Sequence, residues 1–316
     1  MKPDTTLLPP PRAPLLAALR RTLPLLDAAR DLDGLVAVLL AQLEQNFHLS
    51  HVMLLMAEPA GDRLYTLASQ GYPESGVGAE ILPGQGVIGM AAREKTPIRL
   101  THATGDYLYG RAIRDALREN PLAPRLETEI PLPGLATSGS QIAVPLLREA
   151  RLLGILYAES AEEGRFGYDE EDALVILADR LAAAIEQLPN EADEGTAPFG
   201  TIPPIDSGAP LAIRHYRADD SVFIDDAYVI KGVAGAILWL LLSEHAKSGR
   251  TEFSNKELRL SPQIRLPEYS ENLEARLILL RRRLAERSPH IGLEKAGRGR
   301  FRLIVKRPVE LIEVEV

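Results

Sequence analysis

The stretch 189–210, PNEADEGTAPFGTIPPIDSGAP, holds five prolines and three glycines with few apolar residues among them. Proline removes a backbone donor and fixes φ, so such a stretch serves neither as a helix interior nor as a central strand. It reads as a semi-extended linker, and the chain is expected to fold as two units on either side of it. At 316 residues there is enough chain for two cores. The two sides differ in charge. Residues 1–199 carry 17 basic and 28 acidic side chains, a net of −11, and residues 200–316 carry 19 and 16, a net of +3. A basic half beside an acidic one can bind nucleic acid while the protein stays soluble.

Composition removes several classes of chemistry. The absence of cysteine excludes disulfides, thiolate metal sites and cysteine nucleophiles. The longest apolar run, GVAGAILWLLL, is about half of membrane-spanning length. The N-terminus carries Asp4 and several prolines in place of an apolar signal core. A cytoplasmic protein with no membrane partner is expected.

In the first half, residues 1–31 read as a proline-rich extension and a helix interrupted near Pro24, with a new helix starting near Asp31 to Asp33. Leu35, Val36, Leu39, Leu40, Leu43 and Phe47 form an apolar stripe at helical spacing. HVMLLMAE (51–58) and DRLYTLAS (62–69) read as strands, and SQIAVPLL with ARLLGILYAES as a hairpin across Arg148-Glu149-Ala150. THATGDYLYGRAIRDALREN reads as a polar helical segment, followed by a proline-dense loop (120–138). Asp169 is read as the cap of a helix bearing Leu174, Leu177, Leu181, Ile185 and Leu188.

Over 32–188 this order resembles a GAF domain, carried by GQGVIGMAAREKTPI, IAVPLLREARLLGILYAES and FGYDEEDALVILADRLAAAI. The resemblance implies an antiparallel sheet flanked by helices, with a ligand cavity over one face. The chain departs from the cyclic-nucleotide subset, since no Asn-Lys pair precedes Phe166. His102, Tyr107, Tyr109, Arg111 and Arg114 are the most polar and aromatic cluster of this half. In the GAF reading they lie on or beside the segment closing the cavity, where arginines could hold an anionic ligand. Against this stands a solvated helix whose tyrosines staple it to the sheet. No cofactor is identified. A small-molecule effector of unknown identity is the ligand class considered.

In the second half (211–316), YSENLEARLILLRRRLAER is helical. Leu273, Leu277, Leu280 and Leu284 share one face, and Ser270 is a reasonable N-cap. IGLEKAGRGRFRLIV reads as a hairpin whose Phe301, Leu303 and Val305 alternate with Arg300, Arg302 and Lys306. Between Arg276 and Arg307 there are eleven Lys or Arg against two acids. From about Ser221 to Val305 the chain resembles an OmpR-type winged-helix domain. The resemblance rests on SVFIDDAYVI, KGVAGAILWLLLSEHA, SNKELR, the helix ending LRRRL and the wing GRGRFRLIV. It implies a recognition helix over Glu271 to Arg283 and a wing tip over Ala296 to Phe301.

The fold class expected is therefore α+β: a GAF-like antiparallel sheet with flanking helices, plus a C-terminal winged helix-turn-helix domain. Double-stranded DNA is the expected partner. Arg281, Arg282, Arg283, Arg298, Arg300 and Arg302 would contact phosphates or the minor groove, and Asn272, Glu274 and Arg276 would read bases. Opposite the leucine stripe, Glu271, Ala275, Ile278, Leu279 and Arg282 are expected to be exposed. An Ile-Leu pair reads bases only through thymine methyls. That supports an alternative, a signalling adaptor whose helix docks on a protein through Ile278 and Leu279. Apolar stripes on the helices at 33–47 and 170–188 exceed what one sheet face needs, so a homodimer is expected.

Other signals have plainer readings. GQGVIG (84–89) satisfies G-x-G-x-x-G, but the helix after it is too short for a parallel crossover, so the glycines are read as turn formers. Ser254-Asn-Lys-Glu257 is a capping box. The histidines show no metal spacing, and His245 continues a helix face. With no nucleophile-base set, metal constellation or complete cofactor motif, an enzyme is not expected.

Overall fold

Strands β1 (His51–Ala57), β5 (Ser140–Arg148) and β6 (Arg151–Ser160) are apolar at almost every position because both faces of their sheet are covered. The computed structural model describes residues 14–58, 61–102, 130–188, 208–264, 273–296 and 299–315. With β2 (Leu64–Gln70), β3 (Glu80–Ile81) and β4 (Ile98–Leu100) these strands form a sheet in the order β3-β2-β1-β6-β5-β4, antiparallel at every pairing. This is the antiparallel sheet flanked by helices that the sequence implied. Side-chain alternation then sorts the core. Val52, Leu54, Ile142, Val144 and Leu156 share a core with α1 (Leu15–Asp27), α2 (Leu32–Phe47) and α4 (Tyr168–Gln187). Met53, Leu55, Ala143, Ile155 and Tyr157 face α3 (Gly86–Glu94).

Several local expectations are refined. Pro24 lies inside α1, near its last turn, and the break falls later, where Ala28 turns and Asp31 caps α2 by accepting from the Gly34 amide at 2.8 Å. Pro24 has no N–H to give the Arg20 carbonyl, so the helix forgoes one bond there and runs on for only three more residues. The α4 cap is Gly167; Asp169 sits in the first turn, and the Glu170 carboxylate accepts the Gly167 amide at 2.9 Å. The hairpin turn is Glu149-Ala150, both at positive φ (48° and 64°), as a tight turn matched to strand twist demands. Gly84 and Gly86 take positive φ at the start of α3, and the sheet has no parallel pair, so GQGVIG serves as a turn.

Among the described residues, the second half is built as two small sheets and three helices. Strands β7 (Leu211–Tyr216), β8 (Ser221–Ile224) and β9 (Ala227–Ile230) are joined by β13 (Val309–Val314) in the order β13-β7-β8-β9. Strand β13 runs parallel to β7, so the last strand returns to the first; the sequence reading had not seen either. Helix α5 (Gly232–Ser248) follows, ending on Gly249 at φ 69°. Then come β10 (Glu252–Ser254), α6 (Asn255–Leu260), α7 (Leu273–Arg287), β11 (Ile291–Lys295) and β12 (Arg300–Val305). The second sheet has the order β10-β12-β11. The capping box at α6 is formed: Ser254 N donates to Glu257 at 3.0 Å, and Glu257 N to Ser254 Oγ at 3.3 Å.

Gly235 shows how closely α5 lies on β7–β8, since a Cβ there would collide with the carbonyl oxygen of Asp220. Helix propensity favours alanine over glycine by about 1 kcal/mol. Overpacking against backbone costs about 1–3 kcal/mol and decides the sign. Gly235→Ala is expected to lower the urea midpoint, measured by far-UV circular dichroism; a raised midpoint would show the helix shifting freely.

Candidate functional site

Helix α7 buries two faces, and the second was not expected. Leu273, Leu280 and Leu284 are fully buried, as the leucine stripe requires, but Ala275, Ile278 and Leu279 are also no more than 4% exposed. Their expected exposure is thus corrected. The cause is tertiary: α7 lies between α5, β9 and β11 of its own half and α2 and β2 of the first half. The basic residues interleaved with this face carry the contact. The Arg276 guanidinium lies 4.0 Å above the Tyr65 ring and pairs with Glu58. Arg282 Nη1 donates to the Leu67 carbonyl at 2.7 Å. Arg281 Nη2 lies 2.6 Å from Asp33, and Lys295 Nζ lies 3.0 Å from Asp31. Farther along the seam, Lys231 meets Glu80 at 3.1 Å.

The electrostatics follow from this geometry. Burial pushes the Asp31 carboxyl up, yet the Gly34 amide, the Lys295 ammonium and Arg281 together bring it below its ordinary 3.8. Burial lowers the Arg282 guanidinium, with Asp33 acting the other way. Burial likewise lowers Arg283, partly offset by Glu286. Arg283 is 1% exposed and stays within its own half for its hydrogen bonds, to the Val229 carbonyl and to Glu286, both at 3.0 Å. A small pocket opens between α7 and the β11–β12 hairpin, lined by Leu277, Ile278, Leu293 and Phe301 together with Asp33 and Arg281.

The arginines of the β11–β12 hairpin are arranged less openly than alternation implied. Arg302 sits on the central strand β12, opposite Glu252 on β10 and Glu294 on β11, and pairs with Glu294 at 2.7 Å. It is 4% exposed. Arg300 pairs with Glu252 at 3.3 Å. Glu274 pairs with Lys295 at 3.2 Å. Asn272 and Arg298 lie outside the described residues, as do Glu271 and Ser270.

The α3 face of the first half's sheet holds a polar group that sequence reading missed. Glu159 on β6 is paired in register with His51 on β1 and Gln141 on β5, on the face that also presents Tyr157 and Met53. It is 2% exposed; one carboxylate oxygen accepts the Leu135 amide at 2.9 Å, and Oε2 has no partner among the described residues. The signal was an acid ending the strand GILYAES, in phase with the inward Tyr157. His102 is exposed, with Nδ1 3.1 Å from Thr101. Tyr107, Tyr109, Arg111 and Arg114 lie outside the described residues. Among the described residues there is no His/Cys/Asp/Glu group suited to a metal, and no helix long and apolar enough to cross a membrane.

Residues 31–185 match the GAF domain family. No curated protein matches the chain. Three solved structures illustrate the likeness. The GAF domain of an Acinetobacter phosphoenolpyruvate-protein phosphotransferase is 19% identical, with 54% of this chain and 92% of that one covered and a TM-score of 0.42. A GAF domain of the same enzyme from Coxiella burnetii is 23% identical, with 54% and 92% covered and a TM-score of 0.41. The free methionine-R-sulfoxide reductase of Neisseria meningitidis, solved with its substrate, is 21% identical, with 55% and 89% covered and a TM-score of 0.42. Likeness at this level says nothing of activity.

Asp31 gives the site a pH signature. Its folded pKa is depressed, so its stabilisation is present above the unfolded value and is lost as pH falls through the folded one. Asn replaces Asp as an N-cap with little loss, so Asp31→Asn removes the Lys295 pair and keeps the cap. The pair is about one-third exposed, which limits its contribution to below about 1 kcal/mol. The wild type is expected to exceed Asp31→Asn in urea stability at pH 6, and the difference to vanish as pH falls below 3.8 and through the lowered folded value. An unchanged difference at low pH would remove the ion pair from the account.

Proposed function

Since residues 31–185 form a GAF domain, we propose that the chain is a signal-responsive transcriptional regulator whose GAF domain controls a winged-helix, DNA-binding output. The observation carrying this reading is the order β7-β8-β9-α5-β10-α6-α7-β11-β12, with a basic helix followed directly by a hairpin packed on β10. That order fits the OmpR-type winged helix, with α7 as the recognition helix and β11–β12 as the wing. Arg281, Arg282, Arg298 and Arg300 are the phosphate contacts of this reading. Arg283 and Arg302 act mainly by supporting α7 and β12, since both are buried. Asn272, Glu274 and Arg276 are the proposed base readers, once α7 is free of β2.

A second reading is favoured by the burial of Ala275, Ile278 and Leu279 on protein. There, α7 is a protein-docking helix and the chain is a signalling adaptor. DNA binding separates the two. The full chain is expected to bind duplex DNA at low salt; with about four phosphates neutralised, affinity should fall about a hundredfold from about 50 to 200 mM salt. Absence of binding at low salt favours the adaptor. Assembly as a homodimer is supported by Leu16 and Leu25 on α1 and Val175 and Ile176 on α4, all exposed apolar residues on two helices that pack together. A monomer mass independent of concentration in sedimentation would exclude it.

The proposed effector is a small molecule over the α3 face, with the Glu159 carboxylate and Gln141 as inner polar contacts and His102, Tyr107, Tyr109, Arg111 and Arg114 at the closing segment. Glu159 favours a ligand that brings a hydrogen-bond donor. A ligand binding only the folded state at a hundred times its dissociation constant stabilises by about 2.7 kcal/mol, visible as a thermal shift. In a metabolite screen on the full chain, Glu159→Gln is expected to abolish the shift of a true effector; a shift that survives places the ligand elsewhere.

A further inference from the structure

We propose that the first half holds the DNA-reading helix with carboxylates standing where phosphates would otherwise bind, so that the chain is autoinhibited and DNA competes with its own sensor domain. This rests on the winged-helix reading of the second half. Arg276, Arg281 and Arg282 turn to the first half: Arg276 to Glu58, Arg281 to Asp33, and Arg282 to the Leu67 carbonyl with Asp33 at 3.7 Å. Lys295, at the wing's base, turns to Asp31. A phosphate and a carboxylate ask the same of a guanidinium, namely acceptor oxygens and negative charge. A cation engaged by one is not available to the other.

The acids are placed so that they are stable with or without this partner. Asp31 caps α2 and Asp33 lies in its first turn, where the helix dipole favours negative charge. Release of α7 therefore leaves no uncompensated buried acid at this end of the seam. Arg276 and Arg282 meet Tyr65 and the Leu67 carbonyl at the middle of the contact, beside the buried Ala275 and Leu279 of the same helix, and ion pairs lie around them. Such a contact is geometrically specific, yet its ionic part weakens with salt.

The same contact touches the effector side. The segment 130–135 donates the Leu135 amide to Glu159, and its Pro133 packs on Gly76. Ile130 packs on Gly78, and Gly78 lies on the methylenes of Arg283 in α7. Gly78 is tied to β2 through its amide, which donates to the Thr66 carbonyl at 2.8 Å. A ligand that binds Glu159 Oε2 and draws the carboxylate off the Leu135 amide moves this segment against the α7 seat. Binding and release are then coupled through one packed path, with the coupling set by the ligand's preference for the released state.

The test uses the full chain with Asp31→Asn, Asp33→Asn and Glu58→Gln combined, and Asp33→Asn alone as a milder variant at a half-exposed position. Duplex DNA affinity is measured by fluorescence anisotropy, and α7 opening by hydrogen exchange of residues 273–287. The triple variant is expected to show faster α7 exchange and at least about tenfold tighter DNA binding, with Asp33→Asn in between. If α7 opens but affinity equals that of a DNA-binding wild type, the inhibition is overturned and the DNA reading survives. If α7 opens and no form binds DNA at low salt, the winged-helix reading falls and takes the inhibition with it. If DNA-bound wild type keeps the vacated seat on α2 and β2 (residues 32–36 and 64–70) as protected as in free protein, DNA and the first half do not compete, and the proposal is wrong.

Discussion

A guanidinium can leave water only where an acceptor or an aromatic face meets it, and this constraint shapes the junction of the two halves. Arg276 is almost wholly buried, and it lies there because Tyr65 and Glu58 sit on the strand end opposite. A buried ion pair adds little net stability, since desolvation offsets much of the attraction. Its value is geometric: only one register of α7 on β2 satisfies Arg276 and Arg282 together. The charged groups select the seat.

The six-stranded sheet is loaded on both faces for different ends. One face packs α1, α2 and α4 into the core that continues toward the second half. The other is closed by α3 and the segment 130–135, with the Glu159 carboxylate at its polar end. Strand β2 belongs to both arrangements, because its edge receives α7 while its loop to β3 lies under residues 130–133. The α3 face and helix α7 thus share one strand and one loop.

Much of the architecture was legible along the chain. The strands at 51–57 and 140–160 announced themselves by unbroken apolar runs, and the capping box at Ser254 by its spacing. Helix α7 was legible as a helix from its leucines, and β11–β12 from a turn-rich segment between apolar strands. Strands β7 and β13 were missed, since a parallel pair between residues about a hundred positions apart leaves no local trace. Glu159 was missed as well: an acid at a strand end looks solvated until three strands place it inward.

The sequence by itself determined which residues repeat with helical or strand period, where glycine and proline stop them, and which half is basic. Those are short-range properties, fixed by backbone sterics and by apolar groups leaving water. It did not determine which face of α7 meets water. Arg276, Arg281 and Arg282 read alike as free cations for phosphate or as partners for buried acids, because a side chain's charge says nothing of what lies opposite. Only the packing of the two halves decided that Asp31, Asp33 and Glu58 stand there.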